Sequence, residues 1–219
     1  MILKNKKRLT PALFSAEMAL QNYLGNKTET RRPGISKLFE SEKLSFSHME
    51  YIETRAKWAA VFEGEGERFN CFSDFGGPGD WLWQRETFSN NADMDKPIYK
   101  ADYEIYPQSV ISKTKWTPAI HAPLSSARLF LLVTGVRVEQ LNKITGKDAV
   151  AEGMRKSYCY DEATLAAALD DYRALWNQLY RQTFPWESNP LVWVITYQAF
   201  TPQQFEAQVG QTIKELITT

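Results

Sequence analysis

One segment narrows the range of folds open to this chain more than any other. Residues Arg128 to Val138 have the length of a strand, and an unbroken apolar run fills their first half: Leu129, Phe130, Leu131, Leu132 and Val133. A strand that is apolar on both faces needs protein on either side of it. We therefore expect a central strand that is covered on both faces, in a chain that combines strands with helices.

Two short helices are predicted from the residues at their ends. Ser15 to Leu24 form an amphipathic run, and the following Gly25 can adopt the left-handed conformation that closes a helix. A second helix is expected to begin at Thr145, whose hydroxyl can cap the first turn while the Asp148 carboxylate reaches back. This second helix should stop at Gly153.

Apolar residues at helical spacing predict two further helices. The first runs from about Glu162 to Thr183, and its stripe is expected to be core: Leu165, Leu169, Tyr172, Leu175, Trp176 and Leu179. A last helix is expected after the cap formed by Thr201-Pro202, with one apolar side made of Phe205, Val209, Ile213 and Leu216. Between these helices, Leu191 to Tyr197 are typical of a closing strand.

The region before residue 79 has a different character. From about Ser36 to Pro78, charge, aromatic residues and glycine mix without sustained periodicity, which indicates a long insertion with a hairpin. A strand then begins at Trp81, and its alternation places Trp81, Trp83 and Arg85 on one face.

The charge balance limits the partners of this protein. Its 219 residues contain 26 basic and 26 acidic side chains, so the net charge is zero. Without a global positive field, any nucleic-acid contact must come from local clusters such as Lys4 to Arg8 or Arg31 with Arg32. A nucleoside or a short RNA element therefore fits better than a DNA duplex.

Targeting and metal signals are weak. No apolar stretch has the length of a signal peptide or a membrane span, so we expect a cytoplasmic protein with no membrane contact. Cys71 and Cys159 lack the paired spacing of a zinc site, and a buried thiol is the expected role of each. We expect no metal and no cofactor.

The densest group of reactive side chains is the turn from Gly25 to Pro33. It packs two hydroxyls, one amine and two guanidiniums between Lys27 and Arg32, although such a composition is also typical of a solvated turn. Lys27 and Thr30 are three residues apart, a spacing that brings their side chains together in a helical turn and separates them in a strand. The spacing alone leaves both arrangements open.

Several later motifs follow this turn in a particular order. They are Gly79-Asp80-Trp81-Leu82-Trp83-Gln84-Arg85-Glu86-Thr87, Lys115-Trp116-Thr117-Pro118-Ala119-Ile120-His121-Ala122-Pro123, Val133-Thr134-Gly135-Val136-Arg137-Val138, Ala149-Val150-Ala151-Glu152-Gly153 and Asn189-Pro190-Leu191-Val192-Trp193-Val194. From about residue 12 to 197 the chain thus resembles the phage and prophage branch of the ASCH-domain family, small barrels related to the PUA fold. The resemblance implies an α+β barrel domain over residues 1–200, with flanking helices and the insertion at about 36–78, and a C-terminal helical extension at 201–219.

The resemblance also suggests an active site. In members similar to N4-acetylcytidine amidohydrolases, a Lys, a Thr and a Glu are the proposed catalytic group, and these fall on Lys27, Thr30 and Glu152, with the motif arginine on Arg32. A threonine hydroxyl becomes nucleophilic when a neighbour accepts its proton, which a lysine can do if burial or nearby cations depress its pKa. Arg31 and Arg32 are candidates for those cations. Beside a helix C-terminus, Glu152 is expected to have a raised pKa, so that it can protonate the departing amine.

Further residues are candidates for substrate binding, and each has a structural alternative. The candidates are Arg32, Arg31, Arg85, Glu86 and Trp83. Arg85 and Glu86 are equally typical of cross-strand ion pairs, and Trp83 of either a base-stacking or a core aromatic. For Glu152 the alternatives are a surface carboxylate or a salt bridge to Arg31 or Arg32. Glu29 and Arg31 are also consistent with ordinary surface.

Four functions stay open from the sequence. The first is an RNA- or nucleoside-directed hydrolase that cleaves an amide on an N4-acylated cytosine, and the second is a non-catalytic RNA-binding module. The third is a ribonuclease. The fourth is a phage protein that contacts a phage or host partner through the insertion or the C-terminal helix, in a bacterial cell or a phage-infected host. Because the amidohydrolase-like members are much shorter than this chain, substrate identity does not transfer.

Overall fold

A computed structural model describes residues 1–3, 7–35, 44–90, 97–105, 108–154 and 161–218. The strands within these residues are β1 (Leu9–Leu13), β2 (Glu29–Arg32), β3 (Ser45–Ile52), β4 (Lys57–Gly64), β5 (Glu67–Phe72), β6 (Trp81–Arg85), β7 (Phe88–Ser89), β8 (Ile98–Tyr99), β9 (Phe130–Gln140) and β10 (Leu191–Phe200). The α-helices are α1 (Ala16–Tyr23), α2 (Gln108–Ile111), α3 (Gly146–Ala151), α4 (Glu162–Tyr180), α5 (Pro202–Val209) and α6 (Ile213–Thr218).

The strands form three sheets. A five-stranded sheet has the order β1-β6-β9-β10-β2, a second sheet the order β3-β4-β5, and β7 pairs with β8. Within the first sheet β1 is parallel to β6, while β6 is antiparallel to β9 and β10 is antiparallel to β2. The predicted mixed α+β class is confirmed, but no closed barrel is found among the described strands.

The predicted central strand is confirmed as β9, which has neighbours on both sides in the sheet order. Phe130 and Leu131 are fully buried, and Val133 is almost so. The predicted end signals of the short helices are also confirmed. Gly25 has a positive φ of 74° just past α1, and the Thr145 cap forms a reciprocal capping box at α3. At the start of α1, Ser15 accepts a hydrogen bond from the Met18 N–H.

The chain divides into two compact units. This division differs from the predicted one, which placed a single domain over residues 1–200 and an extension at 201–219. The first unit contains Met1–Gly25, Gly79–Leu132 and Gln198–Thr219, and the second contains Asn26–Pro78 and Val133–Tyr197. Strands β9 and β10 each contribute residues to both units.

The first unit has an aromatic core that includes the C-terminal helices. Phe130 and Phe205 stack with ring centroids 4.0 Å apart, and Trp81 packs edge-on against Phe205 at 5.0 Å. The predicted single last helix is wrong, because Gly210 adopts a positive φ of 65° and ends α5 before α6 begins. Both helices nevertheless bury their predicted apolar residues in this core, Phe205 and Val209 from α5 and Leu216 from α6.

The second unit contains the predicted insertion and the long helix α4. Strands β3, β4 and β5 form an antiparallel meander, so the predicted hairpin is present, while residues 36–43 lie outside the described part of the chain. Its central strand β4 is buried on both faces, with Ala59, Ala60, Val61 and Phe62 fully covered. On α4, Tyr172 and Trp176 are buried as expected, but Leu179 is 51% exposed. The Trp176 indole N–H donates to the Phe184 carbonyl, so the chain that follows α4 turns back toward Trp176.

Candidate active site

Lys27 and Glu152 form a buried ion pair in the second unit. The Lys27 Nζ lies 2.5 Å from the Glu152 Oε2 and also donates a 2.8 Å hydrogen bond to the Glu152 carbonyl. Each residue is only 3% exposed. The two residues are 125 positions apart, so the fold brings together the two segments that the sequence analysis singled out.

Local backbone contacts hold this pair in place. Glu152 follows the last residue of α3, and its N–H donates to the Asp148 carbonyl at 2.8 Å. The Thr28 N–H donates to the Ala151 carbonyl at 2.9 Å, which anchors the segment after Lys27 to the end of the same helix. The position of Lys27 is therefore set by the C-terminus of α3.

The Glu152 carboxylate also lies against the backbone of β2. This strand ends the five-stranded sheet, where its neighbour is β10 and Arg31 is paired with Val194. The Arg31 N–H donates to the Glu152 Oε1 at 2.6 Å. One carboxylate oxygen is thus held by the strand, and the other is left for the Lys27 ammonium.

Arg31 is the centre of a larger set of charges. Its side chain is completely buried, and its guanidinium contacts Glu29 at 2.5 Å and Glu139 at 2.7 Å. Arg137 binds the other oxygen of each carboxylate, at 3.0 Å for Glu29 and 3.2 Å for Glu139. We call this closed set of Glu29, Arg31, Arg137 and Glu139 the charge ring.

The interpretation of Glu29 and Arg31 as ordinary surface is wrong. Glu29 is 5% exposed and Arg31 3%, and Arg31 also lies within 3.4 Å of Glu152 and 3.6 Å of Asp148. Desolvation requires such groups to be paired, and they pair with each other across the fold. The structure therefore gives Arg31 a set of protein partners in place of the direct substrate contact expected from its sequence.

Thr30 and Arg32 are placed differently from Arg31. Residues Glu29–Arg32 form a strand, so their side chains alternate and Thr30 and Arg32 point to the face opposite Glu29 and Arg31. Thr30 is 5% exposed and Arg32 is partly buried. Within the part of the chain that the structure describes, no hydrogen bond joins the Thr30 hydroxyl to Lys27 or Glu152. The strand alternative, in which Lys27 and Thr30 separate, therefore holds.

The surroundings of Lys27 change its proton affinity. Burial lowers the pKa of Lys27, and although Glu152 raises it, Arg32 and Arg31 lower it further, so that the pKa lies below 10.5. A pKa depressed by burial or nearby cations was the condition for a base at this position, and the lowered pKa of Lys27 meets that condition. A lysine that loses its proton more readily than usual is suited to act as a base.

Sequence reasoning missed three members of this site. Tyr172 was expected only as core, and burial together with the Glu152 carboxylate raises its pKa. Arg137 and Glu139 were assigned no role. Their only local signal is a pair of charged residues at alternate positions near the end of an otherwise apolar strand.

In the first unit, Trp83 and Arg85 have structural partners. The Arg85 guanidinium donates to the Ala122 carbonyl at 3.0 Å and to the Ile120 carbonyl, and it lies 5.2 Å from the centre of the Trp83 ring. Trp83 packs against the aromatic core of that unit. Arg85 therefore holds a loop by its carbonyl groups, and these contacts are not the cross-strand ion pair that was one of its two predicted roles.

Glu86 belongs to a second buried charge cluster in the first unit. Arg128 binds both Glu86 oxygens at 2.8 Å and also pairs with Asp102. The rings of Tyr23 and Tyr99 lie against the same guanidinium, with centroids at 4.6 and 4.2 Å. We call these five residues the Arg128 cage. A pocket of about 560 Å³ adjoins the cage and is lined by Tyr23, Pro97, Ile98, Tyr99, Asp102, Ala127, Arg128, Thr201, Pro202 and Gln203.

The described residues contain no metal cluster and no membrane-spanning helix. No group of three or more His, Cys, Asp or Glu side chains there is arranged to hold a metal ion. No helix in the described ranges is both long and apolar enough to cross a membrane. Cys71 is partly buried on β5, and Cys159 lies outside the described residues.

No protein-family model, no curated protein and no solved structure matches this chain. The resemblance to the ASCH-domain family accordingly stays a prediction from the sequence motifs.

Proposed function

We propose that this chain is an ASCH-like amide hydrolase that acts on a small uncharged amide, an N4-acylated cytosine nucleoside being the first candidate. The observation that carries the proposal is the buried Lys27–Glu152 pair, with its two atoms 2.5 Å apart. Perturbed lysine pKa values beside a carboxylate are typical of sites that move protons. In the reaction, the shared proton of the pair first moves from Lys27 to Glu152, which leaves a neutral amine and a neutral carboxyl group. Lys27 then accepts the proton of the nucleophile as the nucleophile's oxygen bonds to the acyl carbon. The acyl C–N bond breaks as Glu152 delivers its proton to the departing amine, which restores the ion pair.

The charges around the pair favour an uncharged substrate over a phosphate. Transition-state stabilisation of a phosphoryl group requires cations that are free to bind it. Here the Arg31 guanidinium is engaged by Glu29 and Glu139, and Lys27 by Glu152. A phosphate would therefore add negative charge next to carboxylates that already occupy these cations, which argues against the ribonuclease and for the amidase.

The same burial argues against a purely RNA-gripping role for the basic turn. Phosphate contacts need exposed guanidinium or ammonium groups. The Arg31 side chain is completely buried, so only Arg32, which is partly buried, offers a guanidinium at the surface of this turn. A single partly buried arginine is a weak basis for binding a polyanion.

The proposal is tested by incubating the purified protein with N4-acetylcytidine and following cytidine release by chromatography. Lys27→Met and Glu152→Gln are expected to lower the rate by roughly 100-fold or more, since proton transfer of this kind contributes about that factor. Thr30→Val decides between a threonine hydroxyl and a water molecule as the nucleophile. Arg173→Gln, which breaks the exposed pair of Arg173 with Glu187, serves as the matched control and should leave the rate unchanged. Equal turnover in all variants, or none in the unaltered protein, would refute the proposal.

We also propose partner binding through the insertion as a second candidate function. Tyr51 and Phe69 are 40% and 42% exposed, and their pairing with Trp58 and Phe62 of β4 places them on one face of the sheet. The C-terminal helices are a poorer candidate surface, because their apolar residues are already buried in the core of the first unit. Loss of a captured phage or host protein in a Tyr51→Ser/Phe69→Ser double variant would support this candidate, and capture that survives the double variant would exclude it.

A further inference from the structure

The charge ring is closed, and each of its carboxylates is shared. Glu29 uses Oε1 for the Arg31 guanidinium and Oε2 for Arg137. Glu139 does the same, with Oε1 bound to Arg31 and Oε2 to Arg137. Because Glu29 and Arg31 belong to β2 and the other two residues to β9, the ring joins two strands that are not neighbours in the sheet order.

The ring is connected to the candidate catalytic pair through Arg31. The backbone N–H of this residue holds the Glu152 Oε1 at 2.6 Å, and its Nη1 lies 3.4 Å from the same oxygen. The Lys27 ammonium then binds the remaining oxygen. Contacts therefore run without a gap from Arg137, whose side chain is 40% exposed, to Lys27, whose side chain is 2% exposed.

We propose that Arg137 and Glu139 are positioning residues, which hold Arg31 so that Glu152 keeps one oxygen on the strand and presents the other to Lys27. This inference rests on the proposed function for its meaning in catalysis, but its structural content is independent of any substrate. A guanidinium fork bound on both sides by carboxylates has a fixed orientation, which is the property a positioning group needs.

Electrostatics gives the proposal a signature that a merely structural role lacks. Lys27 faces Glu152, Arg31 and Arg32, and Arg31 also faces Asp148. Tyr172 interacts with Glu152 and the same two arginines. Removing the negative charge of Glu139 leaves Arg31 less neutralised, so Arg31 attracts Glu152 more strongly and the Lys27 pKa should fall. Removing the positive charge of Arg137 leaves the two ring glutamates in excess, so the Lys27 pKa should rise.

The test is a titration of the Lys27 side chain by heteronuclear NMR of the lysine ε-methylene groups, with the signal assigned from a Lys27→Arg variant. Glu139→Gln should lower the apparent midpoint and Arg137→Gln should raise it, each by roughly half a pH unit to one unit, as expected for one charge at this range in a partly screened interior. Arg137→Lys keeps the positive charge, so the midpoint of the Lys27 titration should lie close to that of the unaltered protein. Arg173→Gln is the matched control and should leave it unchanged.

The outcomes separate this inference from the proposed function. Shifts of opposite sign support the ring as a positioning device, even if N4-acetylcytidine is not hydrolysed. No shift in either variant, or shifts of the same sign, would overturn it even if the unaltered protein is an active amidase. If the positioning inference and the proposed function both hold, the pH profile of hydrolysis should move with the NMR midpoint in each variant.

Discussion

Arg31, which is buried in the second unit, and Arg128, which is partly buried in the first, show how differently similar charges can be used. Burial works against the charge of both, yet Glu152 and Glu29 raise the pKa of Arg31, and hydrogen bonds to Glu86 and Asp102 raise the pKa of Arg128. Both arginines therefore stay protonated. The two arginines differ in the other side chains that surround each guanidinium.

The neighbours of Arg128 are two carboxylates and two tyrosine rings, a combination that satisfies a permanent cation. The neighbours of Arg31 include Glu152, which also binds a lysine whose pKa is lowered. A guanidinium keeps its proton at any working pH, whereas a lysine ammonium in such a site can lose its proton. Proton chemistry is therefore expected around Arg31, and a purely structural role for the Arg128 cage.

The largest expected effect is the loss of stability on replacing either arginine. Arg31→Met should lower the free energy of unfolding by about 4 to 5 kcal/mol, and Arg128→Met by about 3 kcal/mol. Removing one partner of a buried pair leaves the opposite charges buried without a partner. The smaller cost at Arg128 follows because Glu86 keeps a 2.9 Å hydrogen bond from Gln84. Urea unfolding measures both values, and a larger loss for Arg128→Met would contradict the comparison.

The next effect concerns pH. In the folded chain the pKa of Lys27 lies below its ordinary value of 10.5, so between these two values the unfolded chain binds the extra proton. Stability should therefore rise with pH across this window. As pH rises through this window, the unaltered protein should gain unfolding free energy relative to Lys27→Met. The same comparison made with Arg128→Met should show no such gain, and a parallel rise would erase the distinction between the two clusters.

A smaller effect is expected at the helix that carries Glu152. Burial works against ionisation of Asp148, but hydrogen bonds from the Thr145 N–H and hydroxyl lower its pKa. Asp148→Ala removes the capping box and should cost about 1 kcal/mol near neutral pH. Because the folded pKa is depressed, this contribution is present above the ordinary carboxyl pKa and disappears as pH falls through the folded pKa. A cost that persists under acid conditions would refute the assignment.

The smallest effect is expected at the rim of the Arg128 cage. Tyr23 is 54% exposed, so Tyr23→Ala should cost only about 0.5 kcal/mol, the range of an exposed cation–π contact. The Lys27 titration should not change in this variant. A shift of that titration would show that the two clusters are not independent, which would break the comparison.

The residues that cap and close the helices could be interpreted without a structure. Gly25 closes α1 and Thr145 caps α3 as predicted, and the apolar run beginning at Leu129 predicted the central strand β9. These features depend on hydrogen bonds and periodicity between residues close in the chain, which a single sequence displays directly. The choice of Lys27 and Glu152 as partners came from the family resemblance, because no local pattern links residues so far apart.

The roles of Glu29, Arg31, Arg137 and Glu139 depended on the folded chain. The residue types around Arg31 are typical of a solvated turn. This arginine is nevertheless buried and bound to Glu139, 108 residues away. Whether a charge is solvated or paired depends on which side chains the fold brings within a few ångströms, and that is a property of long-range packing. The amino-acid sequence alone therefore predicted the local order, whereas the partners of the buried charges, and with them the lowered pKa of Lys27, depend on packing in three dimensions.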